Sequence, residues 1–216
     1  VFNGEIFNYR ELRRELSGES FFSGTDSEVL LRAFKVWGKA CLQRLNGMFA
    51  FAIWDSPRKR LWVVRDRLGI KPLVYFKSQK GFVFASTLEA LICHPEFDKE
   101  IDNESLLLYF MLAYVPTPRT IWKQAQKLPP GHWLLVENNR ERIECYWSQE
   151  PQIHSERKRE DFVDEIREKF YHSIKLHSRS DVPVGTFLSG GIDSSALVGI
   201  LTYISKNYTK TLSIIF

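Results

Sequence analysis

Cysteine is scarce in this chain, with Cys41, Cys93 and Cys145 the only three among 216 residues. They lie far apart and form no Cys-x-x-Cys pair, so they offer no zinc site and fit a reducing compartment. The five histidines are scattered without ligand spacing, and no metal is assigned to them. No apolar run approaches the length of a membrane span. The start lacks the basic, apolar, small-residue order of a secretory signal. These absences predict a soluble, cytoplasmic protein. Neither an internal repeat nor a low-complexity tract is present. Charge of one sign is thin as well. The net charge is +4, spread along the chain, and the densest basic piece, Arg157-Lys158-Arg159, is followed at once by acids. A solvated linker or helix start explains that piece better than a nucleic-acid patch does. The chain also opens at Val1 without a Met and closes at Phe216 inside a strand-like run, which suggests a fragment.

What is present is enough apolar material, 44% of residues, for one large domain or two small ones. A short helix is expected to enter near Asn8, carried by Leu12 and Leu16. Asn3-Gly4 ahead of it has the form of a turn. Thr25 and Glu28 have capping-box spacing before a helical run to Trp37, with Gly38 as the stop. From Asn46 to Asp55 large residues (Phe49, Phe51, Ile53) alternate with small ones (Ala50, Ala52), which predicts a strand packed on both faces. Strands are further expected at 60–65, 73–76 and 81–85, and a hairpin at 132–137 and 142–147 over Asn138-Asn139. Helices are expected at 86–92 and 102–111, the second capped by Asp102. Residues 148–160 are polar and read as a linker. From Asp161 to Lys175, Phe162, Ile166, Phe170 and Ile174 fall at i, i+4 steps, an amphipathic helix.

The stretch Val182–Leu201 carries the chemistry. An apolar run, Val-Gly-Thr-Phe-Leu, breaks into Ser189-Gly-Gly-Ile-Asp-Ser-Ser195 and resumes as helix material to about Lys206, followed by a strand at 211–216. Strand, glycine turn and helix is the order of a phosphate-binding loop. Glycines let the backbone approach an anion, and the first helical amides hold it. The Gly-Lys-Ser/Thr ending of a Walker A loop is missing. Asp193 would repel a bare phosphate but suits Mg²⁺ bridging to phosphate oxygens. A plain βα turn with Asp193 or Ser194 as helix cap is the competing explanation.

The string from Ser189 to Ser195 resembles the pyrophosphate loop of the ATP pyrophosphatase (PP-loop) enzymes. Ahead of it, Phe2-Asn-Gly-Glu-Ile-Phe-Asn-Tyr-Arg-Glu-Leu12, Gly24–Val29, Gly47–Asp55 and Arg65-Asp-Arg-Leu-Gly-Ile-Lys-Pro-Leu73 are similar, in order, to the glutaminase half of glutamine-hydrolysing asparagine synthetases. The resemblance implies an α+β part followed by an α/β part. The first, residues 1–147, would be an N-terminal-nucleophile glutaminase sandwich, incomplete at its start. Residues 161–216 would be the first βαβ of a PP-loop parallel sheet. It implies an oxyanion hole at Asn3 and Gly4, glutamine binding by Glu5 and Asp26, and adenosine contacts at Leu188 and Ile214. Ser189, Gly190, Gly191, Asp193, Ser194 and Ser195 would grip pyrophosphate, with Asp193 on Mg²⁺. Arg65 to Pro72 is expected to be structural, a charged hairpin locked by Gly and Pro. ATP and Mg²⁺ are the implied cofactors, and glutamine, aspartate and ATP the implied partners, without nucleic acid or membrane. A homodimer is the one oligomer considered. The family's nucleophile is an N-terminal Cys, which Val1 cannot replace, so this segment alone is expected to be inactive. Relatives that amidate a sugar or peptide carboxylate, or resemble β-lactam synthetase, are the alternative, and a PP-loop tRNA-modifying enzyme or a degenerate regulatory subunit are weaker ones.

Overall fold

A computed structural model describes residues 1–151, 158–180, 182–205 and 208–214. The chain divides into two compact units, Val1–Glu150 and Pro151–Phe216. In the first unit the elements run β1 (Phe2–Ile6), α1 (Tyr9–Glu15), α2 (Asp26–Trp37), a 3-10 turn (Gly38–Gln43), β2 (Gly47–Asp55), β3 (Arg60–Arg65), β4 (Val74–Lys77), β5 (Phe82–Ala85), α3 (Leu88–Ile92), α4 (Asn103–Leu112), β6 (Gln126–Lys127), β7 (His132–Glu137) and β8 (Arg140–Cys145). One antiparallel sheet has the order β1-β2-β3-β7-β8, and a second, also antiparallel, has the order β5-β4-β6. The architecture is therefore mixed α/β with antiparallel sheets.

The alternation in β2 explains the layering. Phe49 and Phe51 pack with Leu12 and Leu16 of the α1 region and with Val29, Leu30 and Ala33 of α2. Ala50 and Ala52, on the opposite face, pack with Leu73 and Tyr75 of the second sheet. Period 2 sends large rings to the helices and small methyls to the other sheet, where little depth is available between close-packed sheets. The alternation recurs one layer on. Tyr75 faces the first sheet, while Val74 and Phe76 pack with Leu91 of α3 and with Phe97. The order is helices, sheet, sheet, helix.

The segment Arg65–Pro72 is not a hairpin, because β3 and β4 belong to different sheets; it is a loop between them, held by its charges more than by Gly and Pro. Asp66 is 1% exposed. Its carboxylate accepts the backbone N–H groups of Phe49 (3.2 Å), Leu68 (3.1 Å), Ile70 (2.9 Å) and Lys71 (2.9 Å). The Arg65 guanidinium donates to the carbonyls of Gly69, Lys71 and Leu128. A buried carboxylate and a half-buried guanidinium are tolerated there because nearly every polar atom is bonded.

Several expectations change. Asn3-Gly4 is not a turn; both residues lie inside β1, paired with Ala50 and Phe49. Thr25 caps α2 by accepting the Glu28 N–H, but Glu28 does not complete the capping box. Its carboxylate takes the N–H groups of Phe22 and Ser23 and pairs with Arg32. Those bonds hold its pKa down at about 2. The hairpin over Asn138-Asn139 forms at 132–137 and 140–145, both asparagines having positive φ. Asp102 caps α4, accepting from the N–H of Glu104 and the hydroxyl of Ser105.

The second unit holds α5 (Arg159–His177), β9 (Gly185–Phe187), α6 (Ile192–Ser205) and β10 (Lys210–Leu212), with β9 and β10 parallel. The helix α5 begins two residues inside the expected linker, where the Asp161 carboxylate accepts the Lys158 N–H. Of its apolar stripe only Ile174 is buried, joined by Leu176, while Ile166 is 64% exposed. Two helices and two three-residue strands present too little surface to cover the rest. Lys206, Ile215 and Phe216, where the sequence places a helix end and the end of a strand, lie outside the described residues, as do residues 152–157 of the linker.

Candidate functional site

The first group of candidate residues sits on β1. Gly4 has φ +150°, and a Cβ built there would meet the Met48 carbonyl oxygen at 2.1 Å. Only glycine allows the strand to run this close to β2. Asn3 precedes it, and its Nδ2 donates to Ser86 Oγ at 3.2 Å. Glu5 follows, opposite Met48. Asp26, at the start of α2, accepts the Ile6 N–H on Oδ2 at 3.0 Å and the Ser27 hydroxyl on Oδ1 at 3.3 Å. The fold thus gathers Asn3, Gly4, Glu5 and Asp26 from positions more than 20 residues apart onto one strand and the helix terminus bonded to it. A carboxylate at that terminus is favoured by the helix dipole. Ser86 is the residue that sequence reasoning missed. It reads as the first residue of a helix, but Thr87 takes the capping role, accepting the Ala90 N–H.

None of the chain's cysteines has a nucleophile's setting. Cys41 is fully buried in the core, and burial pushes its thiol up to about 12. Cys93 and Cys145 are exposed and donate to the carbonyls of Glu89 and Trp147.

The second group lies in the other unit. Leu188 follows β9, its N–H bonded to the Leu212 carbonyl at 2.9 Å. The Ser213 hydroxyl donates to the Leu188 carbonyl at 2.7 Å, and Ile214, 76% exposed, comes next. Between β9 and α6 the loop folds on itself. The Ser194 hydroxyl accepts the Ser189 N–H at 3.3 Å, lies 3.1 Å from the Ser189 hydroxyl, and donates to the Gly191 carbonyl at 3.1 Å. Gly190 has φ +79°, with open space where a Cβ would stand. Gly191, Asp193 and Ser195 are exposed, with Asp193 in the first turn of α6. The arrangement leaves hydroxyls and helix-start amides around a glycine crossing, a donor set that suits polyphosphate. Among the described residues no group of three or more His, Cys, Asp or Glu could hold a metal ion. No helix among them is long and apolar enough to cross a membrane.

A family model described as a glutamine amidotransferase domain matches residues 1–147, which makes the first unit a member of that class. A second, described as asparagine synthase, matches residues 165–216. Asparagine synthetase [glutamine-hydrolyzing] 3 of Bacillus subtilis is 39% identical over 203 residues, covering 93% of this chain and 33% of the relative. A putative asparagine synthetase [glutamine-hydrolyzing] 2 of Methanocaldococcus jannaschii is 37% identical over 215 residues, covering 97% of this chain and 42% of the relative. The chain belongs to the glutamine-hydrolysing asparagine synthetase family. It spans about a third to two fifths of the length of these relatives. Among solved structures, a glutamine phosphoribosylpyrophosphate amidotransferase from B. subtilis superposes with TM-score 0.46 at 17% identity, over 99% of this chain and 44% of that one. Likeness at that level carries no weight.

Proposed function

We propose that the gene product is a glutamine-hydrolysing asparagine synthetase. Residues 1–147 form its amidotransferase domain, of the N-terminal-nucleophile sandwich type. Residues 148–160 are a linker, and 161–216 belong to its PP-loop ATP-binding domain. The overall reaction consumes aspartate, ATP and glutamine and yields asparagine, glutamate, AMP and pyrophosphate. The observation that supports this reading best is the convergence on β1: Asn3, Gly4 and Glu5 lie in line, and Asp26 is bonded to the next residue but one past Gly4.

At the first site the Asn3 carboxamide and the Gly4 N–H stabilise the oxyanion that forms when the glutamine amide is attacked. Asp26 takes the α-ammonium of glutamine, and Glu5 binds the same substrate. At the second, the Gly190-Gly191 backbone with Ser189, Ser194 and Ser195 holds the departing pyrophosphate. Leu188 and Ile214 contact the adenosine. Mg²⁺, held through Asp193, neutralises phosphate charge when bound; a single carboxylate plus substrate phosphates is an ordinary donor set for that ion. We place both sites in the cytoplasm, in a homodimer.

The test is Asp26→Asn in the full-length gene product. Loss of an ion pair to the substrate costs about 2 kcal/mol or more, so KM for glutamine rises on the order of 30-fold. Synthesis from free ammonia stays unchanged. Equal loss with both nitrogen donors would contradict the assignment.

A further inference from the structure

We infer that Ser86 is a positioning residue for the glutaminase reaction: its hydroxyl fixes the Asn3 carboxamide that faces the reacting carbonyl. This rests on the reading of Asn3 as an oxyanion donor. Ser86 follows β5 in the three-stranded sheet, and Asn3 lies on β1 at the margin of the five-stranded sheet. They are 83 positions apart in sequence, and the bond from Asn3 Nδ2 to Ser86 Oγ, 3.2 Å, links the two sheets at the candidate site.

Three features favour positioning over a merely local role. The Ser86 hydroxyl is not used to cap α3, because Thr87 does that. Among the described residues Asn3 is its one side-chain hydrogen-bond partner. Both residues are half-buried, in reach of a small substrate but shielded from bulk water. A primary amide nitrogen carries two protons. Giving one to Ser86 fixes the rotation of the carboxamide, so the second N–H points in a set direction. A preorganised donor stabilises developing charge without reorganising first, whereas a freely rotating amide must be ordered in the transition state.

The experiment uses the full-length gene product and the variants Ser86→Ala, Asn3→Ala and the double variant. Glutamate release gives kcat and KM, and synthesis from free ammonia serves as the control for folding. Removing an oxyanion donor outright costs on the order of 10²–10³ in kcat; loosening it should cost less, roughly 10-fold. Ser86→Ala is therefore expected to lower kcat about 10-fold, with KM and ammonia-dependent synthesis within about twofold of the parent. In the Asn3→Ala background the same substitution should change kcat less than about twofold, because the group it positions is gone. A normal kcat for Ser86→Ala overturns the inference, as does a loss that multiplies fully with that of Asn3→Ala or appears equally with ammonia. If the unsubstituted protein releases no glutamate, the reading of the first site falls, and this inference with it.

Discussion

Removing the Asp66 carboxylate should unfold the first unit more readily than any surface change of equal size. Four backbone N–H groups end on its two oxygens, at 2.9 to 3.2 Å. Hydrogen bonds to a charged acceptor contribute about 1.5–3 kcal/mol each, but not additively. Leu68 and Ile70 are 64% and 53% exposed, so water can take over at their N–H groups. Phe49 is 1% exposed, so its N–H would be left buried without a partner. Asp66→Ala should therefore cost about 3–5 kcal/mol, the range for breaking a buried charged network. Asp66→Asn keeps one acceptor oxygen and turns an NH₂ toward the other pair of N–H groups. It should cost about 2 kcal/mol or more. Urea denaturation followed by tryptophan fluorescence reports this unit selectively, because all six tryptophans lie between Trp37 and Trp147. A loss below about 1 kcal/mol for Asp66→Ala would refute the argument. The consequence for the site is direct: Phe49 is the residue opposite Gly4.

Other outcomes follow from the same structure. Gly4→Ala should disrupt the pairing of β1 with β2, costing about 3 kcal/mol or more and abolishing glutamine hydrolysis; retention of both stability and activity contradicts the close approach to Met48. Glu28→Gln should lower the melting temperature at neutral pH. The folded-state pKa, about 2, lies below the ordinary glutamate value of 4.5, so the carboxylate's stabilising effect is present above 4.5 and is lost as pH falls toward 2. The melting difference between parent and variant should shrink across that window and not widen. Titration of the native chain with an aromatic disulfide should modify Cys93 and Cys145 while Cys41, with its thiol near 12, reacts only on unfolding; three fast thiols would contradict its burial. Gly190→Ala, at φ +79°, should cost only about 1–2 kcal/mol yet raise KM for ATP several-fold.

Much of the first unit was legible in the sequence because its signals are local. The alternation of Phe49, Ala50, Phe51 and Ala52 announces a strand with two different faces, and those faces set the layer order. Thr25 and Asp102 announce helix starts by chemistry confined to three residues. What stayed hidden depends on distant partners. Asn3-Gly4 has the statistics of a turn, yet the glycine is needed because Met48 passes close by, a fact no short window contains. The Glu28 carboxylate had nearer N–H groups to satisfy than that of the cap. β6, two residues long, has no pattern to read. Ser86 resembles any serine before a helix until Asn3 is set beside it. In the second unit, the stripe on α5 gives the helix correctly but not what covers it.

The most direct test supplies the full-length gene product with glutamine, ATP, Mg²⁺ and aspartate and follows pyrophosphate and asparagine together. The account predicts equal amounts of both, with neither formed when aspartate is omitted. Glutamate release without asparagine or pyrophosphate would contradict it, leaving a live glutaminase that serves a different acceptor.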